Sequence, residues 1–171
     1  MNCIDKMILK TPQVMRVEKF LFEKKMPIKL VKLDETARSA EEASRALKTQ
    51  VGSIIKSLLF QVSFENISLP VMALISGDKK GIEKKILEES GLKGKIKRPN
   101  ADYVKYVTGF SIGGVSPLAI SDDIPILIDK NLNRFELLWA SAGHTHWVFP
   151  IEFQDLVRLT KGKIVNNISK D

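Results

Sequence analysis

The run Thr108-Gly109-Phe110-Ser111-Ile112-Gly113-Gly114-Val115-Ser116-Pro117 sets three glycines and a proline where the flanking apolar residues would otherwise continue a regular element. Glycine reaches positive φ and lets another group approach the backbone closely, whereas proline fixes the exit direction and donates no hydrogen bond. The chain must therefore build a rigid loop with exposed amides at this point. Inward-pointing amides bind anions and developing oxyanions. An ordinary surface turn uses the same residues, so the loop gains meaning only from what surrounds it.

Around the loop the chain reads as a mixed α/β domain of 171 residues, long enough to enclose one good core. Thr11-Pro12 is an N-cap followed by proline at the first helical position, and Val14, Val17, Phe20 and Leu21 recur at helical spacing to about Lys25. Ile28 to Leu33 reads as a strand. Ser39-Ala40-Glu41-Glu42 is a capping box opening a helix with Ala43, Ala46 and Leu47 on its apolar stripe. Gly52 turns the chain into a strand carrying Lys56, which pairs as a hairpin with a second strand near Leu69 to Ser76. Helices follow at about Gly81 to Ser90 and Ala101 to Val107. Short strands are expected at Ile124 to Asp129, Phe135 to Ser141 and Trp147 to Phe149, then a helix at Glu152 to Leu159 and a strand at Ile164 to Ile168. There are no internal repeats and no linker long enough to separate domains.

Lys56 lies within Ile54-Ile55-Lys56-Ser57-Leu58-Leu59-Phe60, where strand alternation puts it on the face of Ile54, Leu58 and Phe60. An ammonium on a core face is costly unless an anion or carbonyls receive it, which makes Lys56 a functional candidate; snorkelling from an edge strand is the plainer alternative. The two histidines, His144 and His146, share one turn after Ser141-Ala142-Gly143. No Cys/His cluster or spaced carboxylate completes a metal set with them, so neither metal nor cofactor is expected. Asp129 ends an apolar strand, where it orients a site or caps Asn131-Leu132-Asn133. No nucleophile elbow is present, and Trp139, Trp147 and Phe149 read as core.

Lys plus Arg number 27 against 20 Asp plus Glu, a net charge of +7, which favours a polyanionic partner. Solubility alone also accounts for such an excess. The clustering of Lys84, Lys85, Lys93, Lys95, Lys97 and Arg98 within a short stretch makes Lys84, Lys85 and Lys95 candidates for nucleic-acid contact. Cys3 is the single cysteine and allows no internal disulfide, and the segment Met1 to Lys10 is broken by Asp5, Lys6 and Lys10. With no apolar stretch of membrane-spanning length, a cytoplasmic location is the default.

The lysine in its apolar run, the Gly-x-x-x-Pro loop, the small-residue turn Trp139 to His146 and the tail Phe149-Pro150-Ile151-Glu152-Phe153-Gln154-Asp155-Leu156-Val157-Arg158-Leu159-Thr160 together resemble the YbaK/ProX family. That family includes the editing domain inserted in bacterial prolyl-tRNA synthetases. The resemblance runs from about residue 39 to residue 168 of a single domain, 1–171, with a helical extension at about 11–25 before it. It implies a barrel-like mixed sheet with helices packed around it, and a trans-editing hydrolase that deacylates mischarged aminoacyl-tRNA. Lys56 is then the residue deacylation cannot lose, held near the phosphate or ester of the acceptor end. Gly113, Gly114 and Val115 offer amides to the ester carbonyl or ribose, with Gly109, Ser116 and Pro117 shaping the loop. Gly143 and His144 hold the aminoacyl group, with His146 as the second choice of histidine, and Asp129 is a further binding candidate. The nucleophile is water, aided by the substrate's ribose hydroxyl.

The partners implied are the acceptor end of aminoacyl-tRNA and an aminoacyl-tRNA synthetase. A noncatalytic module of the same fold that holds tRNA ends or a synthetase is the alternative, and a basic protein of general nucleic-acid affinity is a third class. One departure stands out: the family often continues Pro-x-Gly, whereas this chain has Pro117-Leu118-Ala119, a change expected to narrow the pocket or alter amino-acid choice.

Overall fold

Residues 10–171 are described by the structure, a computed structural model. The readings that rest on Cys3, Asp5 and Lys6 lie outside the described residues.

Helix α1 (Pro12–Glu23) starts where the Thr11 hydroxyl accepts a hydrogen bond from Val14 N, and it buries Val14, Val17 and Leu21. A two-residue strand, β1 (Val31–Lys32), is all of Ile28–Leu33 that enters a ladder, and Leu33 N adds one bond to His146 O at 2.8 Å. Helix α2 (Ala40–Leu47) is capped by Ser39, whose Oγ accepts from Glu42 N at 3.1 Å. Glu42 reaches back one residue further than a capping box requires and accepts from Arg38 N at 2.7 Å, ordering the residue before the cap.

A 3₁₀ turn (Val51–Ser53) leads into β2 (Ile55–Phe64), which pairs antiparallel with β3 (Ile67–Ser76) from Ile55↔Ser76 to Phe64↔Ile67. The hairpin expected from sequence is thus complete, its two-residue loop turning at Glu65 with φ 52°. Then come β4 (Lys80–Gly81), α3 (Glu83–Ser90), β5 (Lys95–Lys97), α4 (Ala101–Thr108), β6 (Ile126–Asp129), a 3₁₀ turn (Lys130–Arg134), β7 (Leu138–His144), β8 (Trp147–Ile151), α5 (Phe153–Thr160), β9 (Lys163–Val165) and β10 (Ser169–Lys170).

The main sheet has the order β5-β2-β3-β6-β9, antiparallel on the β2 side and parallel from β3 through β6 to β9. A second sheet, β1-β8-β7, and a pair, β10-β4, complete the set. The sheet is mixed and flanked by helices as expected, but it does not close into a barrel. Among the described residues a single parallel bridge, Ile54↔Trp139, joins the two larger sheets.

The centre of β3 is apolar on both faces, which is why it reads as the continuous run Val71 to Ile75. Met72 and Leu74 face the larger core, with Val14, Val17 and Leu21 of α1, Leu138 and Phe149 of the second sheet, and Leu156 of α5. Val71, Ala73 and Ile75 face a smaller core closed by Ile86 of α3. The main sheet is therefore the middle layer. The second sheet packs across one end of it, and a cavity remains where they meet.

Candidate active site

That cavity encloses about 310 Å³ at the seam between β2 and β7, near the lower end of ligand-pocket sizes. Its floor comes from Ile54, Ile55, Lys56, Ser57 and Gly77, one wall from Ala37 to Ala43 at the start of α2, and the facing wall from Trp139, Ala140, Ser141 and His144. Ile112, Gly113 and Val115 of the glycine loop form the rim, with Ile112 58% exposed. Arg98 and Val104 close the far end.

Lys56 is half-buried here. Its ammonium donates to the carbonyl of Lys79, so a carbonyl does receive the charge. Burial pulls its pKa below the ordinary lysine value, opposed by the negative charges of Glu41 and Asp78, while Lys80 adds to the lowering. Next to it, Ser57 Oγ is buried with no hydrogen-bond partner among the described residues, leaving a hydroxyl free for a ligand.

His144 reaches the cavity through a bulge. Ser141 pairs with Val148 and His144 with Trp147, so Ala142 and Gly143 are extra on β7, and Gly143 takes φ 96°. Only glycine fits there: a Cβ would meet Phe110 Cε1 at 2.8 Å and the Gln13 backbone of α1 at 3.1 Å. His144 Nδ1 accepts a hydrogen bond from His146 N at 3.2 Å, which assigns the proton of the neutral ring to Nε2. Burial, then the neighbouring His146, lowers the His144 pKa. The His146 ring points to Leu33 O at 3.1 Å and does not line the cavity, so of the two histidines His144 is the one in place.

The remaining sequence candidates divide clearly. Gly113, at φ 86°, and Val115 line the cavity. Gly114 does not: its N–H donates to Ser111 O at 2.9 Å, closing a turn, so this amide is not offered to a ligand. What Gly114 supplies is closeness, since a Cβ there would sit 3.1 Å from His144 Cα. Ser116 is fully buried and accepts from Leu118 N. Gly109 ends α4 at φ 75°, with Arg16 packed against it. Asp129 caps the 3₁₀ turn through Asn131 N and also accepts from Ser169 Oγ, facing a separate polar cavity. Lys84, Lys85 and Lys95 are exposed on α3 and β5, and Lys85 pairs with Glu88 at 2.8 Å.

Sequence reading assigned no site role to Arg38, Arg98 and Ser57, and it placed Trp139 in the core. Trp139 does pack against the small core of Ala40, Ala43 and Ile54, and it also lines the cavity, with Ala140 and Ser141 beside it. Pro117, Leu118 and Ala119 line another cavity with Phe20 and Leu159, so the missing Pro-x-Gly glycine does not narrow this pocket. It costs strain: Ala119 sits at φ 58°. Ala119→Gly is expected to raise unfolding stability by about 1 kcal/mol with turnover unchanged, as measured by urea denaturation.

A cation, a hydroxyl, a histidine and glycine-loop backbone converge on one small, largely apolar cavity, the make-up of a small-ligand site. The comparisons agree with that class. The chain belongs to the family described as the aminoacyl-tRNA editing domain, which matches residues 34–159 and so contains every residue named above as lining the cavity around Lys56. It is 26% identical over 164 residues, 95% of this chain and 98% of the other, to the Enterococcus faecalis protein EbsC, whose name proposes a Cys-tRNA(Pro)/Cys-tRNA(Cys) deacylase. It is 31% identical over 97 residues to a proline–tRNA ligase of Limosilactobacillus fermentum, covering 56% of this chain and 17% of that enzyme. A crystal structure described as a proposed trans-editing enzyme for prolyl tRNA synthetase superimposes with a TM-score of 0.82 at 28% identity, over 94% of this chain and 98% of that one.

Among the described residues no group of three or more His, Cys, Asp and Glu is placed to hold a metal ion. No helix among them is long and apolar enough to cross a membrane.

Proposed function

We propose that this chain is a trans-editing hydrolase that clears a small mischarged amino acid from tRNA, acting in the cytoplasm on the aminoacylated acceptor end. The observation that carries this is the convergence of Lys56, Gly113, Val115 and His144 on one cavity inside the family-matched region. The aminoacyl side chain lies among Ala37, Ala40, Ala43 and Ala140, whose small volumes leave room for a short side chain beside Ile54. Lys56 holds the acceptor end by its negative charge, and the backbone of Gly113 and Val115 faces the ester. Water adds to the ester carbonyl carbon, aided by the vicinal ribose hydroxyl. The acyl–oxygen bond then breaks, releasing the free amino acid and restoring the ribose hydroxyl. Neutral His144 donates a hydrogen bond from Nε2 to the aminoacyl group. The whole chain acts as one editing unit, and the likeness to part of a proline–tRNA ligase supports a synthetase as second partner.

A deacylation screen across cognate and mischarged aminoacyl-tRNAs tests this reading. Release of one or a few small amino acids supports it, whereas tight binding of charged tRNA with no release from any of them would make the protein a noncatalytic module.

The pH profile should be bell-shaped. Activity is lost at high pH as Lys56 deprotonates, with a midpoint below that of an ordinary lysine because its pKa is lowered. On the acid side it is lost as His144 gains a proton at Nδ1, which sets an N–H against the His146 N–H and displaces the ring. This limb lies below the ordinary histidine range because burial and then His146 lower the His144 pKa. Single-turnover rates over the pH range measure both limbs.

Reversing the charges of Lys84, Lys85 and Lys95 should weaken tRNA binding and reduce the slope of log affinity on log salt by about one per lost phosphate contact, leaving the ranking of aminoacyl groups unchanged. Binding titrations at two salt concentrations measure this, and a reordered ranking would refute it.

A further inference from the structure

The carbonyl that receives Lys56 belongs to a braced turn. Ser76, Gly77, Asp78 and Lys79 leave the hairpin in a turn closed by Lys79 N donating to Ser76 O at 3.0 Å. Arg134, at the end of the 3₁₀ turn before β7, grips that turn from the other sheet's side: its Nη2 donates to both Asp78 oxygens at 2.8 and 2.9 Å and to Ser76 Oγ at 2.9 Å. Its Nε donates to Asn131 O at 2.9 Å, and its guanidinium lies 4.7 Å from the Phe135 ring centre. Ser76 Oγ in turn donates to Gly52 O, tying in the segment that leads to Lys56.

The fit leaves no slack. A Cβ on Gly52 would meet Phe135 Cζ at 2.5 Å and Asp78 Oδ2 at 2.8 Å, and one on Gly77 would meet Val51 O at 2.2 Å. Three segments distant in sequence therefore close on one Asp–Arg pair behind the cavity floor.

We infer that Asp78 and Arg134 are positioning residues for Lys56, a latch that fixes the Ser76–Lys79 turn so that the Lys79 carbonyl holds the ammonium on the cavity floor. The inference deepens the proposed function and rests on it for the catalytic importance of Lys56, though not for the position of Lys56. Asp78 also acts through its charge. The charged groups acting on Lys56 are Glu41 from α2 and Asp78 from the turn, which favour the ammonium, and Lys80 from β4, which opposes it. Burial disfavours the Asp78 carboxylate, but hydrogen bonding from Arg134 and Ser76 and the charge of Arg134 together hold that carboxyl below its ordinary pKa. The latch thus keeps a negative charge beside Lys56 as well as a carbonyl against it.

The test is trace acetylation of the intact protein with acetic anhydride at a series of pH values, following the Lys56 peptide by mass spectrometry beside single-turnover deacylation. In Asp78→Asn the Lys56 labelling curve should move to lower pH, while exposed lysines such as Lys105 label as in the wild type. Turnover should fall about tenfold at saturating tRNA with little change in KM, the loss expected when a reacting group is misplaced rather than removed. Arg134→Lys retains the cation but not the fork, and should expose Lys56 to faster labelling with a smaller loss than Arg134→Ala. If Asp78→Asn does not fold by circular dichroism, Arg134→Lys carries the same comparison. Unchanged Lys56 labelling in a folded variant overturns the latch whatever the turnover. Shifted labelling with unchanged turnover upholds the latch and instead removes Lys56 from the deacylation reaction.

Discussion

Lys56→Ala should reduce deacylation by at least about a hundredfold, the scale of losing one charge-stabilising group from a reacting centre. The fold should survive. The variant gives up one hydrogen bond, to the Lys79 carbonyl, and removes a half-buried charge, so the net change in stability should be within about 1 kcal/mol. Single-turnover rates and a thermal transition measured on the same preparation separate the two effects. A folded variant with wild-type turnover would take Lys56 out of the mechanism.

Gly114→Leu should also cost turnover heavily, through geometry alone. The Gly114 amide is already bonded to Ser111 O, so the substitution removes no donor from the cavity. Its side chain instead meets backbone, His144 Cα at 3.1 Å, His144 N at 3.2 Å and the Gly143 carbonyl carbon at 3.3 Å, none of which yields as a flexible side chain does. The loop must move away from β7 and carry Gly113 and Val115 with it. A displacement of a few tenths of an ångström to an ångström at the reacting centre costs from about tenfold to a hundredfold in turnover. Affinity for tRNA should change little, because the phosphate contacts proposed for Lys84, Lys85 and Lys95 lie elsewhere on the surface. Equal losses of binding and turnover would refute that separation.

Local signals in the sequence predicted most of the elements. Thr11 and Ser39 cap their helices through their side chains, as the sequence led one to expect. The β2–β3 hairpin followed from two apolar runs around a polar break. Lys56 was legible because a charge within an alternating apolar strand is conspicuous. The cavity was not legible in the same way, since Arg38, Arg98 and Trp139 meet only through the packing of segments distant in the chain. Trp139 illustrates the limit: alternation places it on a face of β7 but cannot say whether that face meets protein or a void. The Gly114 amide shows another, as the acceptor that occupies it comes from the loop's own turn.

The seam between the two larger sheets, crossed by the single bridge Ile54↔Trp139, has an evolutionary consequence. A pocket cut into one continuous sheet can be reshaped only by disturbing the ladder that holds its strands in register. Here the floor belongs to the edge of one sheet, one wall to a separately bonded sheet and the other wall to α2, so a substitution at Ile54, Ala140 or Ala43 can widen or shorten the space for an aminoacyl side chain while both ladders stay intact. Such a scaffold can change which amino acid it clears in single mutational steps, with the Lys56 anchor untouched.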